Sequence, residues 1–145
     1  MRRFQKRVIN GVTYKSGWEA SVAQELHHRG ISFTYEEHKV VYWTKESGAS
    51  CRSCGSRDVH KRRTYNPDFY IPSLDLYIEA KGKFTGSERK KHMSLKEQHP
   101  DLDIRMLFQY DNWVTDKQLQ KYSDWCEKKG IEYHVGLPLP DSWCE

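Results

Sequence analysis

The sequence predicts an α/β fold, with a mixed central sheet flanked by helices. Two observations carry this expectation. Helical periodicity recurs over residues 16–30, 86–98 and 116–129, and short β-branched or aromatic runs fall between those stretches. Helices interleaved with strands in this way bury their apolar stripes on a shared sheet.

Taken in order, residues 1–15 are polar and basic without an apolar period, and are expected to form an arm. Ser16 then opens a helix in which Trp18, Val22, Ala23 and Leu26 recur at three- and four-residue steps, and Gly30 closes it. Residues 31–43 read as one strand or two. From 44 to about 65 periodicity gives way to Ser, Gly, Cys and Arg, which predicts a long loop or a small insert with its own staple. Residues 67–72 form a short strand closed by Pro72, Ser73-Leu74-Asp75 a turn, and 76–82 a second strand of the hairpin. Residues 86–98 are a charged helix with Met93 and Leu95 among its few apolar residues. Residues 104–108 are expected to be the most buried strand. A helix over 116–129 should present Leu119, Tyr122 and Cys126 on one face, with Gly130 as its stop. Residues 131–135 make a last strand. The whole is one domain, 16–145, preceded by the arm.

Length and composition agree. At 145 residues the chain supports one modest core. Hydrophobic residues are 37% and charged residues 30%, so the surface is heavily charged. No apolar run approaches the roughly 20 residues of a membrane span. The basic N-terminus lacks the apolar stretch of a signal peptide, so a cytoplasmic protein is expected. The net charge of +4 is unevenly spread. Arg2, Arg3, Lys6 and Arg7 crowd one end, residues 52–63 include Arg62 and Arg63, and residues 81–91 include Lys83, Arg89, Lys90 and Lys91. Such clusters suit a polyanion, because cations on phosphates release condensed counterions. A merely solubilising surface is the alternative.

The chemistry concentrates in Asn66-Pro67-Asp68 and, after ten intervening residues, Glu79-Ala80-Lys81. On a hairpin, Asp68 leads into one strand, while Glu79 and Lys81 share a face of the other because side-chain direction repeats every two residues. Carboxylates from both strands can then reach one hard cation, with a lysine beside them. Oxygen ligands suit Mg²⁺ or Mn²⁺, which activates water and offsets phosphoryl charge during phosphodiester hydrolysis. The lysine can position that water or stabilise developing charge. Each fragment alone is also a common surface pattern: an ion pair for Glu-x-Lys, a turn for Pro-Asp. Two features strengthen the reading. Ile78 and Ala80 give the strand a buried face, and Gly82 permits close backbone approach at its end. Glu19 has two readings. It fits a capping box with Ser16, reaching back to the Ser16 amide, and it could complete a two-metal site.

Ser16-Gly17-x-Glu19, Gly30-Ile31-x-Phe33-x-Tyr35-Glu36, Pro67-Asp68-Phe69 and Glu79-x-Lys81-Gly82 together resemble the phage endonuclease I family. These are four-way-junction (Holliday) resolvases of the PD-(D/E)XK superfamily. The likeness continues through Arg89-Lys90-Lys91-His92, residues 97–105 and Cys126-Glu127-Lys128-x-Gly130-Ile131. The resemblance implies a restriction-endonuclease-like core, two divalent metals on Glu19, Asp68 and Glu79, and a catalytic Lys81. It also implies an intertwined homodimer that cuts branched DNA symmetrically, in the host cytoplasm if phage-encoded. Two departures bear on dimer geometry and substrate choice. A longer segment stands where the family has a short inter-subunit bridge, and the sequence printed here ends at Glu145 without the family's basic C-terminal tail.

Within that longer segment, Cys51-Arg52-Ser53-Cys54-Gly55 has the shape of a zinc knuckle. His60 is a candidate third Zn²⁺ ligand, and two knuckles could share one ion across a two-fold axis. A reduced pair or a labile disulfide are the alternatives, and Cys126 is expected in the core. Three functions stand against one another: a structure-selective resolvase, a sequence-guided nickase or homing-type endonuclease on the same core, and a binding module with a decayed site. The intact Asp68, Glu79 and Lys81 weigh against decay. The segment between Trp43 and Asp68 is the natural point for a chain crossing, which would make each site composite, with Glu19 from one subunit.

Overall fold

The computed structural model describes residues 7–45 and 60–145. A five-stranded mixed sheet forms its centre, in the order β3-β6-β7-β8-β9. These strands are β3 (Thr34–Tyr35), β6 (Phe69–Ile71), β7 (Leu76–Lys81), β8 (Asp103–Phe108) and β9 (Tyr133–Val135). β3, β6 and β7 are antiparallel neighbours, whereas β7, β8 and β9 run parallel. Parallel neighbours need long crossovers. Two helices supply them, α2 (Gly86–Gln98) and α3 (Tyr122–Lys129).

The remaining helix, α1 (Gly17–His28), packs Ala20, Val22, Ala23 and Leu26 with Ile78, Ala80 and Leu107 of the sheet. The other face carries a second cluster, in which Met106 and Phe108 meet Phe84, Tyr122, Trp125 and Cys126. The sheet is therefore covered on both sides. For that reason β7, not β8, is the most buried strand: five of its six residues are buried, whereas Asp103 at the start of β8 is exposed.

The boundaries of α1 follow from local chemistry. The Ser16 hydroxyl accepts from the Glu19 amide. At the other end Gly30, at φ +70°, lets its own N–H reach His27 O and the Ile31 N–H reach Leu26 O. The reciprocal half of the capping box is absent, since Glu19 accepts from the Ser16 hydroxyl and not from its amide.

Three expectations need correction. Within the described part of the arm, β1 (Val8–Ile9) and β2 (Val12–Thr13) form a hairpin about Asn10-Gly11, both at positive φ. Asn-Gly between β-branched pairs is the turn that fits strand twist. The third helix begins at Tyr122, not at 116, because Gln118 turns to φ +54° and Leu119 lies 81% exposed. The start of the final strand moves likewise, to Tyr133.

The 44–65 segment is also more regular than expected. β4 (Val40–Lys45) pairs antiparallel with β5 (His60–Tyr65) from Val40↔Tyr65 to Lys45↔His60. Residues 40–45 and 60–65 thus form a two-stranded ribbon held against the end of α2 by the Trp43–Gln98 hydrogen bonds. Tyr42 and Tyr65 at its base are buried with Leu95 of α2. Residues 46–59, including Cys51 and Cys54, lie outside the described residues.

Candidate active site

Asp68 and Glu79 sit one step beyond the Phe69↔Ile78 pair, on adjacent strands. Both are buried, Asp68 at 8% exposure and Glu79 at 2%. The Ala80 N–H donates to Asp68 Oδ2 at 2.9 Å, which fixes that carboxylate against β7. Glu19 lies in the first turn of α1.

The structure brings Glu19 and Asp68 together, and it adds a residue that the sequence reading passed over. Carboxylate oxygens of Glu19, Glu36 and Asp68 all lie within 4.8 Å of one another. Glu36 follows β3 at φ +53°, and its N–H donates to Asp68 O at 3.0 Å. The Tyr35 hydroxyl donates to Glu19, and Lys15 Nζ lies 2.9 Å from Glu36.

Glu79 stands beside this group with its oxygens engaged elsewhere. Tyr65 donates its hydroxyl to Oε2, and Lys81 Nζ lies 2.9 Å from Oε1. Lys81 also reaches Glu88 of α2 at 2.6 Å. Burial works against the Lys81 charge, but the Glu79 and Glu88 carboxylates outweigh it and hold the ammonium above its usual range. In the metal-free protein Lys81 is therefore held as a cation between the two carboxylates. Among the described residues Gly82 makes no close approach, since a Cβ there would meet only the Gln109 side chain at 3.9 Å.

Burial, then the neighbouring Glu79 and Glu19 charges, push the Asp68 carboxyl up to about 9. That is excess negative charge in a low-dielectric place, and a divalent cation would offset it. The residues present fit such a group: Glu19, Glu36 and Asp68 offer hard oxygens, with Glu79 adjacent. A prediction follows from the sign. The folded pKa lies above the unfolded one, so without metal the folded state holds the proton between about pH 4 and 9, and stability falls as pH rises through that window. Asp68→Asn should flatten that slope and stabilise the metal-free protein at pH 7 by about 1–3 kcal/mol. Ca²⁺ should shift the Tm of the wild type upward, and the substitution should abolish that shift. An undiminished Ca²⁺ response in thermal unfolding would contradict the assignment.

Of the expected DNA contacts, Arg7 is exposed and donates to Lys15 O. Arg62 and Arg63 are exposed on β5, Lys83 is exposed before α2, and Arg89, Lys90 and Lys91 lie on the first turns of α2. Arg2, Arg3 and Lys6 fall outside the described residues. Cys126 is fully buried, and burial pushes its thiol up to about 12. His60 is exposed at the start of β5.

The profile of the family described as Phage endonuclease I matches residues 1–145. The chain belongs to the phage endonuclease I family. Endonuclease I of Escherichia phage T7 is 36% identical over 131 residues, covering 90% of this chain and 77% of that protein. Endodeoxyribonuclease 1 of Enterobacteria phage T3 is 35% identical over 129 residues, covering 88% and 75%. Among the described residues no helix is long and apolar enough to cross a membrane.

Proposed function

We propose that this chain is a metal-dependent DNA endonuclease with a PD-(D/E)XK core, a resolvase of four-way junctions and other branched DNA. The observation that carries the reading is the convergence of Glu19, Glu36 and Asp68 beside the Glu79–Lys81 pair, in a chain of this family. Mg²⁺ or Mn²⁺, up to two ions per site on Glu19, Asp68 and Glu79, would supply an activated water and neutralise phosphoryl charge. The protein's own groups do the rest. Lys81 presents a fixed ammonium toward the site, Tyr65 and Tyr35 hold the Glu79 and Glu19 carboxylates in orientation, and the covered sheet limits water access.

Paired cuts on opposing strands call for two centres, and so for a two-fold dimer with one site per subunit. The test is cleavage of sequence-matched junction, nicked and linear DNA in Mg²⁺. Strong preference for the junction, with symmetric paired cuts, supports the resolvase. Equal cutting of linear duplex at one sequence would replace it with the nickase or homing-type reading.

The same proposal assigns Zn²⁺ to Cys51 and Cys54, since soft thiolates and hard carboxylates select different ions. Purified protein should contain zinc that survives removal of the catalytic metal. Cys51→Ser should lose it while leaving Ca²⁺ binding intact. Metal analysis that finds no zinc in protein purified without chelators would end this assignment.

A further inference from the structure

Thr85-Gly86-Ser87-Glu88 at the start of α2 has the pattern of a capping box, in which the glutamate reaches back to the amide of the capping residue. One half of the box is formed, since the Thr85 hydroxyl accepts from the Glu88 N–H. The other half gives way to a longer contact: Glu88 Oε2 turns to Lys81 Nζ, at 2.6 Å. That oxygen is buried, and the ammonium is its one partner among the described residues. Helix capping alone does not explain a glutamate that commits its charge to a neighbouring strand.

The connection between the two residues is short and pinned. Only residues 82–85 separate Lys81 from α2, and Phe84 anchors them. Its ring is buried against Phe108 and Trp125, its N–H donates to the Tyr122 hydroxyl at 3.2 Å, and its carbonyl accepts from Arg89 at 2.5 Å. Glu88, in the first turn of the helix, is thereby fixed against the end of β7. Lys81 stands between two carboxylates, Glu79 Oε1 at 2.9 Å and Glu88 Oε2 at 2.6 Å. The two are not equivalent. Glu79 stands beside the Glu19, Glu36 and Asp68 group and is a candidate metal ligand, whereas Glu88 lies on α2, outside that group. If Glu79 turns Oε1 to a cation, its hold on the ammonium weakens, because two positive charges repel strongly at short range in a poorly solvated place. With Glu79 as its only partner, Lys81 would compete with the cation or leave the site. Glu88 removes that conflict.

We propose that Glu88 is a positioning residue: it keeps Lys81 in place when Glu79 turns to the metal, and so holds the ammonium where phosphoryl charge develops. This rests on the reading of the chain as a metal-dependent endonuclease.

The test follows the Lys81 ammonium by NMR in protein with ¹⁵N-labelled lysine, its signal identified by its absence from Lys81→Arg. A buried, ion-paired ammonium gives a signal, whereas exposed ones exchange with water too fast to be seen. In the wild type the signal should persist both without metal and with saturating Ca²⁺. In Glu88→Ala it should persist without metal, held by Glu79, and vanish with Ca²⁺. Ca²⁺ occupancy is read independently from the shift in Tm. Survival of the signal in Ca²⁺-loaded Glu88→Ala, or its loss from Ca²⁺-loaded wild type, would overturn the proposal.

Single-turnover cleavage of a four-way junction in Mg²⁺ should fall on the order of 10²-fold in Glu88→Ala, the cost of a displaced catalytic group. Junction affinity in Ca²⁺ should stay within about three-fold of the wild type, because affinity comes mainly from cations on phosphates. Glu88→Gln, which keeps an acceptor oxygen without the charge, should fall between the two. A merely structural Glu88 predicts the opposite pattern, a lowered Tm with unchanged cleavage by the folded protein, and that result would also overturn the proposal. A wild type that binds Ca²⁺ and cleaves nothing strikes the endonuclease reading, while the ammonium readout, which uses no DNA, still decides the role of Glu88.

Discussion

Glu79→Ala and Lys81→Ala should each lower cleavage by on the order of 10³-fold or more, while junction affinity changes by less than about three-fold. Glu79 is the most buried carboxylate in the site and is held by two partners, the Tyr65 hydroxyl and Lys81 Nζ. Removing it takes away an oxygen donor and releases both. Removing Lys81 instead leaves Glu79 and Glu88 facing one another without the cation that separates them. Phosphate affinity comes mainly from exposed lysines and arginines elsewhere, so binding survives either change. Ca²⁺ in place of Mg²⁺ should act like these substitutions, giving binding without turnover. Single-turnover cleavage beside an electrophoretic binding assay checks both halves. Near-normal cleavage by either variant would remove the proposed centre.

The Asp68, Glu79 and Lys81 set was legible in the sequence because its geometry is local. Two strands of one hairpin carry it, and the period of two in β7 puts Glu79 and Lys81 on one face whatever the rest of the chain does. Helices α1 and α2 were legible for a similar reason. Ser16, Gly30 and the apolar stripe of α1 mark its ends, and α2 runs over the predicted 86–98. Glu36 was not legible as a site residue. It sits in a loop next to Glu37, and only the pairing of β3 with β6, more than thirty residues apart, carries it to Asp68. The β5 strand was hidden because His60 to Thr64 are all exposed, so no apolar alternation marks it. Leu119 misled in the opposite direction, matching a helical period with Tyr122 and Cys126 while lying in solvent.

The ribbon also bears on whether a site is shared between subunits. The segment between Trp43 and Asp68 had the length and position of a crossing point, which would separate Glu19 from Asp68, Glu79 and Lys81. In the structure the same segment doubles back: Val40 faces Tyr65, and five further pairs follow out to Lys45↔His60. Within a single chain this pairing lets Asp68 stand beside the same chain's Glu19. The donation from Tyr65 at the foot of the ribbon to Glu79 ties that return to the site itself. We therefore expect each active centre to be built in cis, even within a two-fold dimer. Glu19→Ala and Glu79→Ala proteins, each inactive, should stay inactive when mixed under conditions where subunit exchange is confirmed by differently tagged chains. A crossed dimer behaves otherwise. Each heterodimer would then contain one centre with Glu19, Asp68, Glu79 and Lys81 all intact, and it would nick junctions without completing the paired cut. Nicking recovered on mixing would show that the chains cross, and that the ribbon seen within one chain forms between two.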